Sequence, residues 1–566
     1  MKSKKIIFGL PILILILSST LSFAQGEKSI DTRIWSISYW QQLAKMGLVK
    51  FNPVEPRKSI YTSSKITATG VVPADSVDIA VINATNTIQS ENSVFIHPAN
   101  AGIVLNSNNS SDWPYTTFYG SSNFNSSNNG QSWQGSIQGT GGTNQGDPAV
   151  AIDRNGRFYV NYIASDKGQG VARSTDNGAH WTSLQIAAGP PGPDDLLDKN
   201  HFWVDNNTTS AFQGYLYAAW TLFQSGSPDT GNIQFSFSTD QGNHWSTPVN
   251  ISSGVNAGNH NQGVNIQTGP NGEVYAVWAV YDSWPSDETA IGFASSTDGG
   301  IHWSTARRIE QNIRGIRKTL LGGNKTMRVN SFPSMTVDTS GNIYVVWTNI
   351  GIPGTNTGDP DIYMIKSTNG GTNWNNPIRV NKDTAGNGRD QWAPWIAADP
   401  VTGYLACIFY DSRDFSNNDM AETFVSISKD SGSSWEDFKV SDFAWSGDGI
   451  PGFSKNYAGD YLGIAFQGGK IYPVWSDDRS GNMLAYTSPL DLNSTGACNP
   501  PGSGDWVVSS SCSFTGSARA PANVVVKAGV ILTVNSTAAL DMDIKNYHLT
   551  VESGGGVLVK QGGKIY

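Results

Sequence analysis

One eight-residue pattern, Ser-x-Asp-x-Gly-x-x-Trp, recurs six times along the middle of this 566-residue chain, with Asn in place of Asp in two copies. The copies follow one another at intervals of about 50–70 residues and occupy residues 126–133, 174–181, 238–245, 296–303, 367–374 and 428–435. Repeats of this period are typical of solenoids and propellers, in which each repeat is one structural unit that packs on the next. The pattern therefore predicts a repeat architecture.

The residue types in the pattern predict a tight turn between two β-strands. An Asp or Asn side chain accepts backbone N–H groups of its own turn, and Gly adopts a backbone conformation that a Cβ would resist. The Trp ring packs under the turn. The Asp or Asn positions, to which we assign this structural role, are Asn128, Asp176, Asp240, Asp298, Asn369 and Asp430.

Each repeat also contains an aromatic-rich strand after a Gly turn. These strands begin at Gly156, Gly214, Gly272, Gly341, Gly403 and Gly469. Their period-two alternation predicts one face buried against the next blade. The last unit, 460–489, contains three strands, and the segment 77–83 can supply its fourth, which would close a ring without exposed sheet edges. This count predicts seven blades, with six as the alternative.

The pattern is similar to the Asp boxes, also called BNR repeats, of the sialidase-like propellers, and the resemblance covers about residues 75–495. It implies an all-β Asp-box β-propeller with the boxes on the face away from the usual binding site. Residues 496–566 are short Gly-punctuated strands and predict a small C-terminal β-rich module, either β-helical or a sandwich.

The N-terminal residues 1–24 are typical of a secretory signal peptide, with lysines at 2, 4 and 5, an apolar run over 6–17 and a small-x-small site at 22–24. We therefore expect a secreted, cell-surface or periplasmic protein with no membrane insertion after cleavage. Residues 25–74 form an N-terminal segment, in which the apolar spacing over 31–50 predicts a short helix.

The formal net charge is −9 and becomes −12 without the three lysines of the leader. An acidic surface argues against nucleic acid or an anionic membrane as partner. We expect a monomer. Of the three cysteines, Cys407 lies in an apolar strand and is expected to be buried, whereas Cys498 and Cys512 are expected to form a local disulfide.

In a propeller, the innermost strands begin at one rim of the central channel, so residues just before them converge on one pocket. The same register in successive blades is polar here, and the positions include Asn144, Gln145, Asp147, Asp198, Lys199, His201, His260, Asn261, Gln262, Arg328, Asn330, Arg389, Asp390, Gln391, Tyr457, Asp460 and Tyr461. Such side chains bind sugar hydroxyls, and arginine forks suit the carboxylate of an acidic sugar.

The resemblance to sialidases implies roles for four of these residues. Asp147 would be the acid/base, Arg328 and Arg389 would bind the substrate carboxylate, and Tyr461 would be the nucleophile. His201, His260, Gln391 and Asp460 complete the expected substrate-binding set. The strand comparable to the family's first arginine reads Phe-Ile-His-Pro and has His97 there, and no Glu that would activate the tyrosine stands out.

The leading hypothesis is a carbohydrate-active, sialidase-like exo-glycoside hydrolase on terminal acidic sugars of extracellular glycans. Two alternatives stay open: a non-catalytic glycan-binding or adhesion propeller, and a polysaccharide lyase that uses His201 or His260 with Tyr461 on uronic-acid polymers. We expect no cofactor; an oxygen-rich loop is a weak candidate for calcium, with Asp411, Asp414, Asn417, Asn418 and Asp419 as its donors.

Overall fold

The computed structural model describes most of the chain, with gaps that include the predicted signal peptide. The described residues are 43–48, 59–62, 78–82, 87–112, 117–192, 195–224, 231–255, 260–319, 321–323, 325, 327–355, 358–446, 457–492, 499–501, 503–508, 512–528 and 530–566. They form seven antiparallel sheets of four or five strands, which are the blades of a β-propeller.

The first four blades follow the chain in order, each with its innermost strand first. Blade one contains Thr87–Ile96, Val104–Asp112, Phe118–Ser121, Asn123–Ser126 and Gln134–Ser136, and blade two contains Ala149–Ile152, Phe158–Ile163, Gln169–Ser174 and Thr182–Ala187. Blade three contains Leu196–Val204, Leu216–Phe223, Asn232–Ser238 and Val249–Asn250, and blade four contains His260–Thr268, Val274–Tyr281, Ala290–Ser296 and Arg307–Gln311.

The other three blades complete the ring. Blade five contains Ser334–Val337, Ile343–Ile350, Pro360–Ser367 and Ile378–Arg379, and blade six contains Gln391–Ala398, Leu405–Asp411, Glu422–Ser428 and Glu436–Lys439. Blade seven contains Gly463–Gln467, Lys470–Asp477 and Leu484–Thr487, with Leu490–Asp491 beside its second strand.

The fourth strand of blade seven comes from the other end of the propeller. Ile79–Ala80 pairs antiparallel with Leu484–Thr487, with Ile79 opposite Thr487. Val81 continues the contact, because its N–H donates to the carbonyl of Ala485 at 2.9 Å. The predicted closure is confirmed, and the count is seven blades rather than six.

The hydrophobic core is divided among the contacts between neighbouring blades. Six clusters of buried side chains each join one pair of adjacent blades, and a seventh joins blades six and seven and also includes Ile88 of blade one and Ile350 of blade five. The aromatic-rich second strands supply the largest of these side chains, among them Trp220, Trp278, Trp347 and Trp475, all fully buried. Because each blade buries its faces only against its neighbours, the ring is stable only when all seven are in place.

The repeated pattern forms the turn between the third and fourth strands, as its residue types predict. In the copy that contains Asp176, the Oδ1 atom accepts the backbone N–H of His180 at 2.9 Å and the hydroxyl of Ser174 at 2.8 Å. The Ser174 hydroxyl also accepts the N–H of Gly178, and Trp181 donates its indole N–H to the Gly178 carbonyl. The other five copies show the same Ser-to-Asp or Ser-to-Asn contact.

Little of the predicted N-terminal helix lies among the described residues. One helical turn is present at 43–45, and the rest of the 31–50 prediction and the signal peptide lie outside the described residues. Further along this segment, Ile60–Tyr61 pairs with Phe443–Ala444 beside blade six. In the described residues, no helix has the length and apolar character needed to span a membrane.

The C-terminal module is the β-helical alternative, since its strands stack in three parallel sheets. The sheets are Trp506–Val508, Val524–Val526 and Leu549–Val551; Cys512–Phe514, Ile531–Val534 and Gly556–Val559; and Ser517–Arg519, Ala539–Asp541 and Lys564–Ile565. Cys512 is disulfide-bonded, whereas Cys498 lies outside the described residues, and Cys407 is free and buried as expected.

Candidate functional site

In six of the blades, a residue with left-handed backbone conformation lies within the innermost strand or shortly before it. These residues are Glu91, Asp147, Lys199, Gly263, Ala393 and Gly459, with φ between 51° and 101°. In four blades the position coincides with a break in strand register, which is a β-bulge. Blades one to three place charged residues here, although each left-handed non-glycine residue costs about 1–3 kcal/mol. Strain of this kind concentrates at functional sites.

The bulges bring three carboxyl groups into one row. Asp147 lies in the middle: the Asn109 amide reaches Oδ1 of Asp147 at 3.4 Å as well as Glu91, and Lys199, the residue after Asp198, also contacts Asp147. Asn109 holds the row from blade one: its side-chain amide donates to Glu91, and its Oδ1 accepts the backbone N–H of Asp147 at 2.7 Å. The Oδ2 atom of Asp147 also accepts the backbone N–H of Lys199 at 3.3 Å.

Burial favours the protonated form of the two outer members of the row, Glu91 and Asp198. It raises the pKa of Glu91 well above its usual value, and the charges of Asp147 and Asp460 raise it further. The pKa of Asp198 is raised for the same reasons, first by burial and then by Asp147. A carboxyl group that keeps its proton beside a carboxylate is the arrangement that enzymes use for general acid catalysis.

Three cations face the carboxyl groups. The Nη2 atom of Arg328 lies 3.9 Å from Oδ2 of Asp460, and its guanidinium stacks on the Tyr457 ring at 3.9 Å. Lys199 and Arg317 are buried nearby, and burial lowers the pKa of both. Their charges compensate for those of the carboxylates, and guanidinium groups in such a place suit an anionic ligand.

Tyr461 lies at the same place but is held neutral. Its hydroxyl donates to the carbonyl of Pro148 at 3.0 Å, and its ring lies 3.8 Å from the Nζ atom of Lys199. Burial raises the pKa of the phenol well above its usual value, and the carboxyl group whose charge adds most to this effect is Glu91. The phenol therefore needs an adjacent base before it can act as a nucleophile.

A small cavity adjoins these groups. It has a volume of about 10 Å³, which is about the space of one water molecule, and its walls include Lys199, Asn330, Asp460 and Tyr461. Asn330 reaches across the channel to Asp460, with its Nδ2 atom 3.1 Å from Oδ1. The site is thus a compact polar cluster at the centre of the ring.

His201 lies in the next layer of the channel. Its ring centroid is 5.7 Å from that of Trp395, which in turn is 5.7 Å from Tyr461. The Nδ1 atom accepts the backbone N–H of Ile266 at 3.2 Å. Burial, with a smaller effect of Lys199, lowers the pKa of His201 to about 3, so the imidazole is neutral at physiological pH. His201 belongs to the channel as predicted, beneath the carboxyl row.

His260 and Gln391 lie outside the cluster. The His260 ring is fully buried and packs 3.8 Å from the centroid of Trp284, within the body of its blade. Gln391 donates to Oδ1 of Asp411 at 3.0 Å, in a buried polar network of blade six. The described contacts connect neither residue with Asp147, so their predicted role in substrate binding receives no support from position.

Arg389 also lies apart from Arg328. Its Nη1 atom donates to the carbonyl of Gly388 at 3.2 Å, and its backbone N–H donates to Asp359 at 3.0 Å. The described contacts connect this guanidinium neither with Asp147 nor with Tyr461. Another buried arginine, Arg317, comes from the segment between blades four and five, and its guanidinium lies 4.0 Å from the ring centroid of Trp284, which also packs on His260.

Sequence reasoning missed Glu91 and Arg317. The position comparable to the family's first arginine is His97, just after the innermost strand of blade one, whereas Glu91 lies in the middle of that strand at its bulge. Six residues of extended strand separate the two by about 20 Å. Asp147 and Lys199 occupy equivalent positions in blades two and three, and the equivalent position in blade one is Glu91. An alignment of the blades at these positions would therefore have identified Glu91. No repeated feature of the sequence marks Arg317.

In the oxygen-rich loop of blade six, oxygen atoms that were candidates for binding calcium are paired with basic side chains of the protein. Oδ2 of Asp411 accepts Nε of Arg413 at 2.8 Å, and Oδ1 of Asn418 accepts Nζ of Lys325 at 2.8 Å. Across the part of the chain that the structure describes, no group of three or more His, Cys, Asp or Glu side chains is arranged to hold a metal ion.

No family model matches this chain, and no curated protein matches it. Among solved structures, an α-L-arabinanase from Penicillium chrysogenum is 14% identical over 61% of this chain and 92% of its own, with a TM-score of 0.40. A polysaccharide lyase, an ulvan lyase, is 11% identical over 74% and 96%, with a TM-score of 0.45. A xyloglucanase from Xanthomonas campestris is 16% identical over 64% and 47%, with a TM-score of 0.37. Similarities this low carry no argument about the site.

Proposed function

We propose that this chain is a secreted glycoside hydrolase of sialidase type that acts on terminal acidic sugars of extracellular glycans. One observation carries the proposal: Glu91, Asp147 and Tyr461 converge with buried cations on the channel axis, and Glu91 is the carboxyl group whose charge acts most on the Tyr461 phenol. Sialidases, which the repeated pattern resembles, combine an Asp acid/base with a Tyr–Glu pair.

Each group of the cluster has a defined task in this proposal. Arg328 and Arg317 bind the carboxylate of the sugar, because guanidinium forks match that group. Asp147 is the acid/base that protonates the glycosidic oxygen. Glu91 takes the phenolic proton when it is itself deprotonated, which makes Tyr461 the nucleophile.

The test is hydrolysis of a fluorogenic α-sialoside and of a fluorogenic β-glucuronide by the purified chain and three variants. Glu91→Gln and Asp147→Asn keep the size and shape of the side chains, so the circular-dichroism spectrum should be unchanged. Because each variant removes a group that transfers a proton, we expect kcat to fall by at least about a hundredfold. Arg328→Met is expected to raise KM. The matched control is Asp298→Asn in a turn pattern on the other face, which should leave kinetics unchanged.

A lyase is the second candidate, because Lys199 lies against the Tyr461 ring, 3.8 Å from its centroid, and burial lowers the pKa of the lysine. A buried lysine with a lowered pKa can abstract the proton beside a uronate carboxylate, while a neutral carboxyl or an arginine neutralises that carboxylate. The ultraviolet absorbance of an unsaturated uronate product would identify this reaction and overturn the hydrolase. Lys199 is its base if the absorbance is lost in Lys199→Met under conditions where this variant keeps the circular-dichroism spectrum of the unaltered chain, and is retained in Lys382→Met.

The third outcome is binding without turnover. If acidic glycans bind, if Arg328→Met abolishes that binding and if neither product forms, the chain is a glycan-binding propeller. Absence of both binding and turnover across acidic glycans would remove the carbohydrate proposal altogether.

A further inference from the structure

The central channel contains a second and larger cavity on the opposite side of the His201–Trp395 layer. Its volume is about 380 Å³, within the range of small-molecule sites, and every blade contributes to its wall. The innermost strands run from the carboxyl cluster at their starts to this cavity at their ends. We call it the lower cavity. It opens on the face of the repeated turns, where Val401 at its mouth is 66% exposed.

Aromatic rings form part of the wall. Phe95 and Trp203 meet edge to face, with centroids 5.4 Å apart, and both are only partly buried. Trp395 and Phe466 contribute two further rings from blades six and seven. Ring faces of this kind bind apolar surfaces, including the C–H faces of sugar rings.

The polar part of the wall is made of amides and a hydroxyl. Gln267 is 9% exposed and lines the cavity, and the described contacts contain no protein partner for its carboxamide. Thr268 accepts hydrogen bonds from Nε1 of Trp203 at 3.0 Å and Nδ2 of Asn207 at 3.3 Å, which leaves its own proton for an acceptor. Both side chains can therefore exchange hydrogen bonds with a ligand or with water in the cavity.

The lower cavity is close to electrically neutral. Its described wall contains no Asp or Glu, and its single charged residue, Arg154, is exposed at the mouth, where Nη1 lies 3.4 Å from the Asn206 carbonyl. His201, which forms the inner end, is held uncharged by its buried position. This differs from the carboxyl cluster above, so the two ends of the channel suit different ligands.

We propose that the lower cavity binds an uncharged saccharide of one or two rings, separately from the carboxyl cluster. The aromatic rings stack on the C–H faces of the sugar. Gln267 and Thr268 bind its hydroxyl groups, because an amide and a hydroxyl each both donate and accept. The volume accommodates a ligand of this size. Because the described wall contains no carboxylate that would attract a cation, an uncharged ligand is favoured.

The experiment is calorimetric titration of the full chain with cellobiose, lactose and glucuronic acid, together with the apolar dye 1-anilinonaphthalene-8-sulfonate. We expect a neutral disaccharide to bind. Gln267→Leu, which keeps the size of the side chain, should weaken that binding at least tenfold. Glu91→Gln, in the other half of the channel, should change it by less than twofold.

Three results would overturn the proposal. The first is that no neutral sugar binds at about 20 mM, a concentration on the order of the dissociation constants of the weakest specific sites. The second is sugar binding that Gln267→Leu leaves unchanged, and the third is tight binding of the dye alone. A second variant, Thr268→Val, keeps the shape of the wall and should weaken the sugar at least threefold, so a folding defect in one variant leaves the test intact. Since Glu91→Gln removes the proposed hydrolysis and spares this binding, failures of the two proposals are distinguishable.

Discussion

The Nζ atom of Lys199 lies 3.8 Å from the centroid of the Tyr461 ring, at the centre of a group of four buried carboxyl residues. Burial opposes the charge of this ammonium and lowers its pKa, whereas the surrounding carboxyl groups, first Asp460 and then Asp147, favour the charge. The lysine also adopts a left-handed backbone, with φ of 51°. The propeller thus holds a strained cation where the acidic ends of neighbouring blades meet.

Removal of this cation should destabilise the propeller. We expect Lys199→Met to lower the free energy of unfolding by about 3–5 kcal/mol, since it leaves buried carboxylates without compensation. Urea denaturation followed by circular dichroism measures this. The matched control Lys382→Met removes an exposed lysine and should change stability by less than about 0.5 kcal/mol. Equal stabilities of the two variants would show that the carboxyl groups are neutralised in another way.

The repeated turns should tolerate Asn but not Ala in place of Asp. Oδ1 of Asp298 accepts the His302 N–H at 2.9 Å and the Ser296 hydroxyl at 2.8 Å, and Asn128 and Asn369 make the corresponding contacts in their turns. We expect Asp298→Ala to cost about 1 kcal/mol and Asp298→Asn less than half of that. Thermal unfolding of both variants compares them, and equal losses would contradict the assigned role.

The same carboxylate predicts an effect of acid. Hydrogen bonds, first that from the backbone of His302, lower the pKa of Asp298 to about 2. The folded state therefore binds a proton less readily than the unfolded chain. The resulting stabilisation is present above about pH 4 and is lost as the pH falls towards 2. Asp298→Asn should show a smaller fall of melting temperature over this interval than the unaltered chain.

Asp478 should have the opposite effect on the pH dependence of stability: it should make the folded state less stable as the pH rises towards neutral. Burial and then the charge of Asp477 raise the pKa of Asp478 to about 7. The folded state keeps this proton while the unfolded chain loses it near pH 4, so stability declines between pH 4 and 7, by on the order of 4 kcal/mol. Asp478→Asn keeps an acceptor for the Ser446 hydroxyl and should flatten the profile.

The control for this pH profile is Asp414→Asn. Asp414 is an exposed carboxylate on the neighbouring blade, so its replacement should leave the decline in place. Urea unfolding at pH 5, 6, 7 and 8 gives the comparison. A slope in Asp478→Asn that equals the slope of the unaltered chain would assign the decline to other groups.

The C-terminal β-helix should depend on its middle turn. Leu532 is fully buried between Cys512 and Val557, which flank it in the parallel sheet, whereas Leu558 in the last turn is 53% exposed. We expect Leu532→Ala to cost about 2–5 kcal/mol and Leu558→Ala less than about 0.5 kcal/mol. Hydrogen exchange measured by mass spectrometry over 506–565 reports on this module alone. Equal acceleration in both variants would disagree with the stacked arrangement.

The repeated pattern allowed much of the fold to be predicted, because its contacts lie within eight residues. Asp176, Gly178 and Trp181 bond to atoms of their own turn, so local sequence determines that turn. The alternation in the second strands located residues such as Trp278 in the core. The closing strand was predicted because blade seven lacked one, and an unpaired edge must be covered.

The candidate site was predicted only in part. Asp147, Arg328, Asp460 and Tyr461 come together as expected, since they share one register in the repeats. Glu91 and Arg317 were missed, and Arg389 was expected at the centre although its described contacts are elsewhere. The β-bulges decide which side chain faces the axis, and one shifted residue turns a side chain to another face.

The sequence by itself determined the repeat, the turn chemistry and the all-β class, because these depend on residues close together in the chain. Only the tertiary structure decided which polar side chains meet. Asn330 and Asp460 are hydrogen-bonded across 130 positions of sequence, and Asp460 bonds to Glu91 across 369. Such contacts depend on the closure of the whole ring, and burial within that ring, rather than residue type, raises the pKa of Glu91 and lowers that of Lys199.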